Sequence, residues 1–204
     1  LRFAAKTGVV RYRSEGGGVT GEVVQFAEHG ALSRRELTLG DPGSRSHADE
    51  QRIITIVRGD AVTTFDARMR VGVRITQAPA SSSNIMELDL RRLDEAGLAR
   101  FGARKLERRN VAGLECEGFA LPERATTVCV HRGLVLALEV GTGEHALSLE
   151  ATSVKLDVDV HESVFDVPAD LRLEQVEGDE AASLGAFGRG SVPRVPRDAM
   201  NRQP

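Results

Sequence analysis

The chain has 204 residues, 41% of them hydrophobic, which is enough for one sizeable core. Its 27 basic and 30 acidic residues leave a net charge of -3, so no global attraction to nucleic acid or anionic lipid is expected. Aromatic residues are only 4%, with no Trp and a single Tyr, so the core must be built mainly from Val, Leu, Ile and Ala.

Residues 7–39 read as three strands. Val9, Val10 and Tyr12 lead into the turn Ser14-Glu15-Gly16-Gly17-Gly18. Val23, Val24 and Phe26 follow, then His29-Gly30 turns the chain into Leu32, Leu37 and Leu39. Short strands with turn signals about every ten residues mark antiparallel β architecture. Residues 40–50 have loop composition. Ile53, Ile54, Ile56 and Val57 form the next strand, ending at Arg58-Gly59-Asp60, and residues 61–66 alternate. From Arg70 to Thr76 the alternation returns, with Val71, Val73 and Ile75 on one face. Met86, Leu90, Leu93 and Gly97 recur at helical spacing after the break at 79–84, which predicts one central helix.

Beyond residue 103 the strand pattern resumes: Leu114–Leu121, Arg124–His131, Leu134–Val140 and Ala146–Val160 form a meander. The last of these changes phase. Leu147, Leu149 and Ala151 share one face, whereas Val154, Leu156, Val158 and Val160 occupy even positions, which predicts a bulge near Thr152-Ser153. Val164-Phe165-Asp166-Val167-Pro168 is expected to clip onto the core. From about residue 177 the composition becomes rich in Gly, Pro and Arg without periodicity, with Arg189, Arg194, Arg197 and Arg202 set against Asp198. The expected organisation is a mainly β (α+β) domain over residues 1–176. It would be a curved antiparallel sheet or unclosed half-barrel of about ten strands with one central helix, followed by an extended tail over 177–204.

Cys116 and Cys129 are the sharpest local signal. If Pro122-Glu123 is a two-residue hairpin loop, Cys116 faces Cys129 at a non-hydrogen-bonded position, where a disulfide fits. A disulfide points to an oxidising compartment; two buried free thiols are the alternative. The five histidines are scattered, with no metal-ligand spacing, and no nucleophile elbow or phosphate-binding glycine motif occurs. Asp157 and Asp159, on the outer face of a strand, and the charge run Glu87–Glu95 read as solvated surface. Catalysis, a metal and a cofactor are therefore not expected. No apolar run approaches the roughly 18 residues needed to cross a bilayer, so a membrane-spanning segment is not expected either. The chain starts at Leu1 rather than Met, which reads as a mature form after signal removal, although a trimmed chain would look the same.

The order of elements, with Gly8-Val9-Val10-Arg11-Tyr12, Gly21, Arg34-Arg35-Glu36-Leu37, Arg58-Gly59-Asp60-Ala61-Val62, Phe65-Asp66, Val111-Ala112-Gly113-Leu114-Glu115-Cys116, Gly133-Leu134-Val135-Leu136 and Val164-Phe165-Asp166-Val167-Pro168, resembles the lipoprotein-carrier-like half-barrel proteins of the bacterial periplasm (the Lol carriers and uncharacterised exported relatives). The resemblance spans roughly residues 7–170. It implies an unclosed barrel around helices, with an apolar concavity that holds acyl chains of a lipid or lipoprotein, and a periplasmic location.

Two roles are expected from this. In the first, Met69, Val71, Val73, Ile75, Met86, Leu90 and Leu93 line an apolar pocket between sheet and helix, and the chain binds a lipid or lipoprotein acyl chain. In the second, the chain is an accessory subunit of a larger envelope complex, held to a protein partner through residues 178–204 and their arginines, Arg189, Arg194, Arg197 and Arg202.

Overall fold

The computed structural model describes residues 3–16, 18–40, 50–76, 102–142 and 146–177. Within them the chain forms β1 (Gly8–Glu15), β2 (Val19–Ala27), β3 (Leu32–Leu39), β4 (Gln51–Arg58), β5 (Ala61–Asp66), β6 (Val71–Thr76), β7 (Arg104–Lys105), β8 (Arg109–Val111), β9 (Leu114–Leu121), β10 (Thr126–His131), β11 (Leu134–Val140), β12 (Leu147–Leu156) and β13 (Arg172–Glu177). The strands lie in the order β13-β6-β5-β4-β3-β2-β1-β12-β11-β10-β9-β7, with β8 also on β9. The two ends do not pair, so the curved sheet is unclosed. The thirteen strands exceed the expected ten. No α-helix occurs among the described residues, only short 3-10 turns such as Glu28–Gly30, Pro122–Arg124 and Glu162–Phe165. The expected central helix, with Met86, Leu90 and Leu93, lies outside the described residues.

The sheet is two meanders joined at β1. Strands β1 to β6 follow one another on one side, and β9 to β12 on the other, so most pairing is between sequence neighbours. The tight turns Ala112-Gly113 and Arg132-Gly133 have φ of 51° and 83°, and of 46° and 91°. These left-handed pairs match the twist of a two-residue hairpin. The ladder β1–β12 is the long-range join. Arg11 pairs with Ser153 and Tyr12 with Ala151, leaving Thr152 as the extra residue. That bulge is the phase change seen in the sequence, and Thr152 Oγ1 donates to Arg11 O at 3.2 Å. The strand expected to run to Val160 stops at Leu156, because Asp157 turns with φ 53° and its N–H donates to Thr7 O.

The cysteines are joined by a disulfide, with Cα atoms 5.5 Å apart. The expected facing register is wrong, however. Pro122–Arg124 form a 3-10 turn closed by left-handed Ala125, so the β9–β10 loop has four residues rather than two. Cys129 therefore pairs with Gly118, and Cys116 pairs with Arg109 of β8. The bond runs diagonally on one face. A side chain at Gly118 would come within 2.9 Å of Leu106 Cβ and Glu107 O, so only glycine lets the 104–109 segment lie against β9.

The C-terminal segment behaves as a clip, with Phe165 only 1% exposed. What the pattern did not reveal is β13, which pairs parallel with β6. Arg-Leu-Glu-Gln-Val-Glu carries too few apolar residues to show a period, as suits an outer strand. The main core holds Val10, Tyr12, Phe26, Phe119, Leu121, Leu136, Leu138 and Leu149 among others, and a second cluster holds Ile54, Ile56 and Phe65.

The disulfide spans a separation of 13 residues, and both cysteines are buried. Replacing both by alanine should lower stability by about 3 kcal/mol in urea melts, following the chain-entropy estimate for a short loop.

Candidate functional site

Register across β2–β6 and β13 sets three rows of side chains on one face of the sheet. The first is Glu22-Leu37-Ile53-Asp66-Val71-Arg172, the second Val24-Arg35-Thr55-Thr64-Val73-Glu174, and the third Phe26-Ser33-Val57-Val62-Ile75-Val176. The third row is apolar at every position but Ser33. Five inter-strand steps make it roughly 24 Å long. Ile75 and Val176 are buried, whereas Val57, Val62, Val71 and Val73 remain partly exposed. Of the residues expected to line a pocket, Val71, Val73 and Ile75 share this face. Met69 sits in the β5–β6 turn and is 56% exposed. Met86, Leu90 and Leu93 lie outside the described residues, as do the tail arginines.

Polar groups interrupt the face, among them Glu22 with Arg35, the Thr55–Thr64 pair and Asp66. Glu22 is fully buried and accepts two hydrogen bonds from Arg35, Nε at 2.7 Å and Nη2 at 3.0 Å. Arg35 stands opposite Val24 and reaches diagonally to it. Tyr12, beside Glu22 on β1, donates its hydroxyl to Val135 O at 2.7 Å. Burial pushes the Tyr12 hydroxyl well above its usual range, the Glu22 charge adds to this, and Arg35 partly offsets it. Sequence reading missed Glu22, although strand alternation puts it on the face of Val24 and Phe26. Between β4 and β5, Thr55 and Thr64 hydroxyls bond at 3.0 Å.

Asp66 organises the β5–β6 turn. Its carboxylate accepts Arg68 N–H at 2.7 Å, Met69 N–H at 2.9 Å and Gln51 Nε2 at 2.6 Å. Burial works to raise its pKa, but the bonds from Met69, Gln51 and Arg68, with the Arg68 charge, outweigh it and hold the carboxyl below its usual value.

The three histidines among the described residues do not converge. His29 Nδ1 is 3.3 Å from Phe3 O, His131 Nδ1 is 2.6 Å from Glu115 O, and His161 caps Ser163. Among the described residues no group of three potential ligands could hold a metal. Two small hollows lie away from the apolar rows. One of about 120 Å3 is lined by Arg13, Glu15, Arg109, Glu139 and Glu150. The other, about 60 Å3, lies between Leu106 and Cys129. Neither has room for an acyl chain. No helix among the described residues is long and apolar enough to cross a membrane.

No protein-family model matches the chain, and no curated protein does. Among solved structures it is similar to an uncharacterised conserved protein from Thermus thermophilus, with a TM-score of 0.54 at 10% identity over 85% of this chain and 92% of that one. The two share a fold. MucB gives 0.48 at 14% identity, over 82% of this chain and 59% of MucB. A putative outer membrane lipoprotein-sorting protein domain from Vibrio parahaemolyticus gives 0.35 at 8% identity, over 81% and 92%. Likenesses as distant as the last two say nothing about what this chain binds.

Two outcomes follow from the polar groups. Arg35→Met strands the buried Glu22 carboxylate and should cost about 3 kcal/mol in chemical denaturation, most of it recovered in Glu22→Gln/Arg35→Met. Because the folded pKa of Asp66 is lowered, its contribution is present above its unfolded value of ~3.9 and is lost as pH falls through the folded value. The stability gap between wild type and Asp66→Asn should therefore shrink when urea melts are taken below about pH 4.

Proposed function

We propose that the chain is a non-catalytic, exported binding protein of the periplasm, and that its apolar row takes the acyl chain of a lipid or lipoprotein. The observation that carries this reading is the run Val57, Val62, Ile75 and Val176 across adjacent strands, separated from Phe26 by Ser33, with partly exposed Val71 and Val73 beside it. Phe26, Ile75 and Val176 are buried, so an extended hydrocarbon would lie on partly exposed Val57 and Val62, with Val71 and Val73 beside them. The buried Glu22–Arg35 pair sits outside this row and keeps its own hydrogen bonds, so it need not be broken on binding. The disulfide supports an oxidising compartment. The unclosed antiparallel sheet agrees with the half-barrel resemblance.

The second reading is an accessory subunit attached to a partner through residues 178–204. What supports it is that the two hollows described above, about 120 and about 60 Å3, are too small for an acyl chain and lie away from the apolar row. On this reading the arginine-rich tail, which continues from the outer strand β13, meets an acidic surface.

A fluorescent fatty acid separates the two. Val73→Asp puts a charge beside the row at a partly exposed position and should weaken binding about tenfold or more, with a change in thermal midpoint of only a few degrees. A wild-type chain that binds no fatty acid, but loses a larger assembly when residues 178–204 are removed, would sink the carrier reading.

A further inference from the structure

The opposite face of β4 and β5 carries Ile54, Ile56 and Phe65, and Val167 and Leu171 pack against them. These two belong to a segment that makes no strand pairing between the end of β12 and β13. The same segment buries Phe165 where its 3-10 turn meets β3 and β4. Of its five acids, Asp157, Asp159, Glu162, Asp166 and Asp170, the last three pair with arginines of the sheet. Glu162 and Asp166 both pair with Arg58, at 3.2 and 3.6 Å, and Asp170 pairs with Arg70. Within these pairs the charge is one-sided, with acids on the segment and bases on the sheet. All three paired acids are more than 60% exposed, so the pairs are open to solvent. The chain then enters β13, the parallel strand at the end of the sheet, where Arg172 N–H donates to Arg70 O at 3.0 Å.

We infer that this surface is a receptor for an extended acidic-apolar peptide, and that residues 161–177 of the same chain occupy it as a releasable latch. Its parts are those of peptide recognition: one aromatic anchor, flanking aliphatic contacts, an arginine at each end, and an edge strand, β6, to which a peptide adds as a strand. Contacts of this kind release as a unit. Exposed ion pairs are weak and screened by salt, and β13 is held by a single ladder. Release would free the β6 edge and uncover Ile54, Ile56 and Phe65, on the face opposite the apolar row.

Hydrogen exchange on the full chain tests this. Amides of 164–177 should exchange together, about tenfold or more faster than those of β10 and β11. Their exchange should accelerate further between about 0.05 and about 0.5 M salt, whereas β10 and β11 hold steady. Exchange of β13 in step with β10 and β11, without salt dependence, would overturn the latch. In a second arm, full-length Phe165→Ala loosens the anchor, and a labelled peptide of residues 159–177 should bind it, while the same peptide with Phe165→Ala should not. Equal binding of both peptides, or none to the folded variant, overturns the receptor assignment. If that variant fails to fold, the exchange result on the wild type decides.

Discussion

The ladder between β1 and β12 is the constraint on which the sheet depends. Every other ladder in the two meanders joins near neighbours in sequence, and each meander alone would be a half-sheet with an open edge. Pairing Gly8–Glu15 with Ser148–Leu156, at the far end of the chain, makes β1 a central strand bonded on both sides. Backbone and side-chain contacts extend the join past the strand ends, from Lys6 N–H to Asp157 and from Thr7 Oγ1 to Val158 O. The bulge at Thr152 lets β12 change which residues it turns inward without losing its partner. Tyr12 then ties β1 to β11 through Val135 O, one strand beyond its direct neighbour.

A sheet joined in this way and left unclosed presents two faces that need different partners. On β4 and β5, one face is covered by the chain itself, through Val167 and Leu171. The other carries the apolar row with Val57 and Val62 partly exposed, and Val71 and Val73, also partly exposed, in the rows beside it. Burying such surface is favourable by roughly 25 cal/mol per Å2. The Glu22–Arg35 pair gives the same face one fixed polar point, satisfied within the protein.

Much of this architecture was readable from residue order. Alternation in Val71, Val73 and Ile75 placed them on one face, and the parity change between Ala151 and Val154 located the bulge, because a strand period of two makes any insertion visible. The cysteine pair was found through a register that proved wrong by two residues, since a left-handed Ala125 carries no sequence mark that a glycine would. β13 escaped notice because an outer strand buries little and so shows no hydrophobic rhythm. The diagonal Glu22–Arg35 contact escaped because it depends on a register between two strands, not on either strand alone. Residues 77–101 and 178–204, which carried the helix and the tail arginines, lie outside the described residues.

On the proposed reading, the apolar row holds a hydrocarbon chain. Native mass spectrometry of the protein from its own host, with and without reductant, tests this most directly. A carrier would arrive with a lipid or acyl adduct that survives mild desolvation, and would gain the mass of two hydrogens on reduction. A chain that is lipid-free under the same conditions, and stays so when offered membrane lipid, would contradict it.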